Sequence, residues 1–158
     1  VINVSDPARP AFESTVAVGG TPERADISGN YLYVPNNSSS TLSIIDITDF
    51  SVNTVRGAFR APTRVKAVGD YVYIMHNDGL AVVDARDPAL AAVVDAVAVT
   101  YGDLTIRGNN LYAVWYNNLN LSIFAITPAG VETACAPTSV PAPATVSSAR
   151  NCSANCLH

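Results

Sequence analysis

Apolar residues in this chain come in short runs: YLYV (31–34), LSIIDI (42–47), YVYIM (71–75), LAVVDA (80–85) and LYAVWY (111–116). Each run is rich in β-branched or aromatic residues and is bounded by Gly, Asn, Asp or Pro, which is the signature of a strand between turns. None extends for a helix length with apolar spacing near 3.6, so the pattern predicts strands throughout.

The runs repeat. GNYLYVPNN (29–37) returns as GDYVYIMHN (69–77) and again as GNNLYAVWYNN (108–118). Gly29, Gly69 and Gly108 coincide, as do Tyr33, Tyr73 and Tyr112. LSIIDITD (42–49), LAVVDARD (80–87) and LSIFAITP (121–128) also align, and the opening VINVSDP is a truncated copy. A period near 40 built from strands is that of a propeller blade.

Four strands fit each unit. The first comprises A (Arg24–Ser28), B (Tyr31–Asn36), C (Leu42–Thr48) and D (Val52–Phe59). The second runs Arg64–Val68, Tyr71–His76, Leu80–Ala85 and Ala91–Val99. The third supplies A, B and C through Thr127, with a weaker D candidate at Val131–Ala136. The A–B links place Gly and Asn where a tight hairpin demands positive φ. The C–D corners carry Asp6-Pro7, Asp49 and Asp87-Pro88, for which Asx turns account better than a ladder of calcium ligands, since Pro128 breaks the series.

GNYLYVPNNSSSTLSIIDITD and GDYVYIMHNDGLAVVDARDP resemble the LVIVD-type β-propeller repeat, and resemble the YVTN type less closely. The resemblance covers residues 1 to about 128 and implies an all-β fold of four-stranded β-propeller blades. In the third unit Ala125 stands where the others have Asp. The chain holds about three and a half blades, whereas propellers usually close with 4–8. Further blades of the same chain upstream of Val1, or other copies of the chain, are therefore expected to cover the open ends, through Val1–Val18 and Leu121–Cys135. A contact between unlike faces is heterologous and makes rings or fibres.

From Ala136 onward Pro, Ala, Ser and Thr dominate without a strand period, so 1–136 reads as blades and 137–158 as an extended tail. The cysteines, Cys135, Cys152 and Cys156, all lie in or beside that tail. With charged residues at only 14%, they point to an oxidising, extracellular or cell-surface location and a disulfide from Cys135 to Cys152 or Cys156. CSANCLH departs from the C-x-x-C-H haem motif at two points, and neither haem nor zinc is expected. The net charge of −4 and the lack of a basic stripe argue against nucleic acid, and no apolar run is long enough for a membrane span.

Candidate chemistry is sparse. No Ser/His/Asp set or phosphate loop is legible. His76 ends a B strand beside NDG and reads as a solvated turn residue, while His158 closes the tail. Matching positions on strand A, which lines the channel of a propeller, are Arg24, Arg64 and Asp103, then Asp26, Lys66 and Thr105. They read as a ligand ring or, more simply, as ion pairs at a solvated rim. The pairs Tyr31/Tyr33 and Tyr71/Tyr73, with Tyr112, should pack between blades, leaving Trp115-Tyr116 as the exception. Sequons occur at Asn3, Asn36, Asn37, Asn120 and Asn151, and Asn36, Asn37 and Asn120 are the glycosylation candidates, in B–C loops. The expectation is a non-enzymatic, cofactor-free module for structural assembly or protein–protein interaction. The alternatives are a self-assembling extracellular fibre subunit and part of a propeller enzyme or redox protein whose active site lies outside this segment.

Overall fold

Tight Gly turns and Asx corners fold the strands into consecutive antiparallel sheets. The computed structural model describes residues 1–57, 59–98, 102–115, 121–127 and 130–133. A short hairpin, β1 (Ile2–Asn3) and β2 (Ala11–Phe12), precedes three four-stranded sheets. The first sheet comprises β3 (Asp26–Ser28), β4 (Tyr31–Asn36), β5 (Thr41–Asp46) and β6 (Val52–Arg56). The second comprises β7 (Arg64–Val68), β8 (Tyr71–His76), β9 (Gly79–Asp84) and β10 (Ala92–Ala98). The third comprises β11 (Gly102–Arg107), β12 (Asn110–Trp115), β13 (Leu121–Thr127) and β14 (Gly130–Thr133). Strand order follows the sequence in every sheet, and β3, β7 and β11 lie side by side as successive inner strands. This is the arrangement of propeller blades.

The A–B hairpins turn on Gly29, Gly69 and Gly108, each with φ of 57°. Behind each turn sits a repeated latch that single-strand patterns do not reveal. The residue five positions after Leu42, Leu80 or Leu121 donates its backbone N–H to the carbonyl of the second turn residue: Ile47 to Asn30 at 2.9 Å, Ala85 to Asp70 at 2.8 Å, and Ile126 to Asn109 at 2.8 Å. The Asx corners form as expected, Asp6 Oδ1 accepting from the Ala8 N–H at 3.0 Å, Asp49 from Ser51 at 2.8 Å and Asp87 from Ala89 at 2.9 Å.

Several strand ends differ from the sequence expectation, each for a local reason. Strand C stops at Asp46, not Thr48, because the Asp46 carboxylate captures the Thr48 N–H at 2.8 Å and bends the chain out of the ladder. The regular part of the first A strand begins at Asp26, since Arg24 bridges in parallel to Arg64 of the next sheet rather than to its own neighbour. Strand D ends at Arg56, and Phe59 leaves the sheet to become a buried wedge between blades. A bulge between Val93 and Asp95 leaves Val94 outside the register of β10. The fourth strand of the last sheet begins at Gly130, and the span 134–136 lies outside the described residues.

The core is layered between sheets. Tyr33, Leu42, Ile44 and Val55 of the first sheet interdigitate with Val72, Ile74, Ala81 and Val83 of the second. Tyr73, Met75, Leu80 and Val82 of the second repeat the packing on Leu111, Ala113 and Phe124 of the third. The second sheet thus buries one face backward and one forward, as the period of two requires.

Candidate functional site: the inner rim and the open blade faces

Equivalent positions on β3, β7 and β11 face one another around the inner rim, so the residues the repeats place there meet directly. Lys66 Nζ stands 3.3 Å from Asp26 Oδ1, and the Ala67 N–H donates to Asp26 Oδ2 at 3.0 Å. Arg64 Nε stands 3.4 Å from Asp103 Oδ1. That contact is an ion pair and not a hydrogen bond, because the buried Nε has no acceptor in bonding geometry. Arg64 Nη1 donates instead to the Thr63 carbonyl at 2.9 Å, and Asp103 Oδ1 accepts from the Leu104 N–H at 2.9 Å. The sequence left a ligand ring and paired ions both open; two of the three cations are paired. Arg24 is exposed and has no carboxylate partner among the described residues, and Thr105 is exposed beside the rim. A cleft of about 240 Å³ opens here, lined by Arg24, Arg64, Val65, Lys66, Asp103 and Leu104.

The ends of the first two B strands are buried. Asn36, a glycosylation candidate, is 0% exposed and ends β4; its Nδ2 donates to Ser43 Oγ at 2.9 Å and Thr41 Oγ1 at 3.2 Å. Its side chain packs inside the sheet. Asn37 is half-buried, and Asn120 lies outside the described residues. His76 occupies the same repeat position as Asn36 and is likewise buried, which corrects its reading as a solvated residue. Its Nδ1 accepts from the Asp78 N–H at 3.3 Å, its Nε2 has no partner, and its ring tilts against Phe59 at 6.4 Å. Burial holds the imidazole below its ordinary pKa; nearby Asp78 opposes this and Arg60 reinforces it. Arg60 and Asp78 form an exposed bidentate pair, at 2.8 and 3.2 Å, that sequence reading missed. Its only signal was opposite charge at the two ends of a hairpin-like stretch.

Tyr31, Tyr33, Tyr71 and Tyr73 pack between blades as expected. Burial, then Tyr31 and Asp70, pushes the Tyr33 phenol above its ordinary pKa; burial and then Tyr71 do the same to Tyr73. Tyr112 is different. With Val114, Leu121 and Ile123 it forms the forward face of the last described blade. Their counterparts Tyr73, Met75, Leu80 and Val82 are 0–2% exposed, whereas Val114 is 46% and Leu121 38% exposed. At the other end, Val16 and Val18 of the N-terminal segment roof the backward face of Leu32, Val34, Ile45 and Ile47 incompletely, leaving a hollow of about 500 Å³. Of the remaining expectations, Cys135, Cys152, Cys156, Tyr116 and His158 lie outside the described residues, and the Trp115 side chain is not described.

Comparison with known families bears on this geometry. A model described as the LVIVD repeat matches residues 19–59 and 60–99, just over half of the chain, in two consecutive copies. The chain belongs to the LVIVD-repeat family. The matched segments coincide with the first two four-stranded sheets, each with its preceding rim segment. No curated protein matches the LVIVD-repeat chain significantly. Solved structures share its fold. One is a functionally unknown protein from Desulfotomaculum acetoxidans DSM 771, with TM-score 0.68 at 13% identity, covering 78% of this chain and 44% of that one. A second is Kuenenia stuttgartiensis hydrazine synthase, with TM-score 0.61 at 16% identity, covering 72% and 35%. A third is the N-terminal domain of Nup159, with TM-score 0.54 at 14% identity, covering 76% and 31%. At such identities the likeness is one of fold alone. The matched part of the LVIVD-repeat chain spans less than half the length of these proteins. Among the described residues no helix is long and apolar enough to cross a membrane.

Proposed function

We propose that this chain is a non-enzymatic β-propeller module that acts in structural assembly or protein–protein interaction through its blade faces. The observation that carries the reading is the forward face of the last described blade. Tyr112, Val114, Leu121 and Ile123 occupy positions that the two preceding blades bury against a neighbour, and here they stand partly in water. Two large apolar side chains at 46% and 38% exposure in register with fully buried counterparts mark a docking surface shaped for another blade. At the N-terminal end Val34 and Ile45 are already covered by the segment that carries Val16 and Val18, and a copy joined head to tail would meet the hollow beside them, at Leu32, Ile47 and Phe50. That geometry favours the fibre-subunit reading as second choice.

An extracellular or cell-surface setting is part of the proposal. It is supported by the low charge of the chain and by three cysteines in or beside the Pro-rich tail, and a bridge from Cys135 to Cys152 or Cys156 is part of the same proposal. Light scattering across a concentration series tests the interaction reading. The expected result is concentration-dependent association that Leu121→Glu abolishes without loss of the folded β spectrum. A monomer at every concentration, unfolding cooperatively and indifferent to Leu121→Glu, would refute it.

A further inference from the structure

We infer that the inner-rim cleft is a binding site for a small oxyanion, of the carboxylate or phosphate class, held between Arg24 and Arg64. The chain carries a net charge of −4, yet three of its nine basic side chains, Arg24, Arg64 and Lys66, line this one cleft. Two carboxylates answer them. Asp26 is consumed by Lys66 and the Ala67 N–H, and Asp103 stands beside Arg64. One positive charge therefore remains, on Arg24.

The backbone makes that surplus informative. Arg24 and Arg64 are joined by a parallel bridge between neighbouring inner strands, which brings two cations to adjacent positions on one rim. Like charges set side by side destabilise a sheet unless something neutral or negative lies between them. Arg64 is also underused: one N–H goes to the Thr63 carbonyl, Nε has no hydrogen-bond acceptor, and Asp103 holds it only by charge. A guanidinium presents a fork that matches two oxygens of one anion. An oxyanion seated in the cleft, of about 240 Å³, would neutralise Arg24, give Arg64 an acceptor and leave the Lys66–Asp26 pair intact. The size fits a small organic acid or inorganic phosphate.

Isothermal titration of the full chain with citrate, and separately with inorganic phosphate, tests the site against sodium chloride at matched ionic strength. Saturable binding of one anion per chain is expected for at least one of the two, and the stronger one names the class. Arg24→Gln, at an exposed position, should hold or slightly raise the melting temperature of the free protein, since it relieves the repulsion of Arg64, and should weaken binding about tenfold. Arg56→Gln, on β6 away from the rim, should bind as the parent does. Asp103→Asn should bind severalfold more tightly, because it removes the competing carboxylate from Arg64. Chloride reproducing the effect, Arg24→Gln binding like the parent, or Asp103→Asn binding more weakly while folded would each overturn the proposal. Association of blade faces plays no part in these outcomes.

Discussion

Leu42, Leu80 and Leu121 hold one repeat position at the start of strand C, and the structure gives them unequal surroundings. Leu80 is 0% exposed, wedged among Tyr73, Met75, Leu104 and Phe124 where two blades meet, whereas Leu121 is 38% exposed. Leu80→Ala removes a fully buried side chain and leaves a cavity that neighbours on both sheets cannot close, at a cost of about 3–5 kcal/mol. Leu121→Ala removes a side chain with roughly three-fifths of its surface covered and no sealed cavity behind it. Its cost is the partial transfer contribution alone, about 1–1.5 kcal/mol. Against a domain stability of about 5–15 kcal/mol the two variants should separate clearly. Urea unfolding followed by far-ultraviolet dichroism, at dilutions where scattering shows monomer, measures both, with the slopes expected to stay alike. Equal losses under those conditions would mean that Leu121 is as well covered as Leu80, and the open face would not exist. A Leu121→Ala penalty that grows with protein concentration would instead report the covering of that face by another copy.

Two further outcomes follow from local geometry. His76 is held neutral by burial, so its folded pKa lies below the 6.5 of the exposed group. The unfolded chain then binds more protons in that window. Stability should be complete above about pH 6.5 and fall as pH drops toward the folded value. His76→Leu should flatten this part of the urea-midpoint profile; an unchanged profile would assign the slope elsewhere. Gly69→Ala meets nothing within 4 Å but must hold φ of 57°, so it should cost about 1 kcal/mol, most of it recovered by Asn. Gly57→Ala would set a Cβ 2.5 Å from Val93 Cγ2 and should cost about 1–3 kcal/mol, relieved by Val93→Ala in a double-mutant cycle.

The strands, the Gly turns and the Asx corners were legible because three copies of one pattern vote on each, and local chemistry fixes them. What escaped sequence reading depends on contacts between copies. Asn36 and His76 look like turn residues in the string, since each is followed by Asn, yet each packs at the end of a central strand against the segment that leads into its sheet, Asn36 at Pro22 and His76 at Phe59. Phe59 reads as the last apolar residue of strand D, but the chain turns at Gly57, where only a hydrogen lets the backbone pass Val93, and Phe59 goes into the layer between sheets. The identities on the inner strands were legible as a set. Their pairing became visible only once neighbouring sheets fixed which positions face each other.

The inner rim shows what differences between repeats mean physically. Equivalent residues of successive blades stand side by side there, so a perfect repeat would stack like charges around the axis. The chain avoids this at one level by changing Asp26 to Lys66 in the next copy, and at another by changing Arg64 to Asp103. These alternations explain themselves as ion pairs of modest worth at half-exposed sites, about 1 kcal/mol or less each. Arg24 beside Arg64 is the step where alternation fails, although a single acidic residue at position 24 would have removed the repulsion. Where copies agree, as at Gly29, Gly69 and Gly108, the agreement maintains the fold. Where they differ in sign, the difference maintains the rim. At the rim, among the described residues, Arg24 beside Arg64 is where they agree in sign, and there a ligand's charge is the missing term.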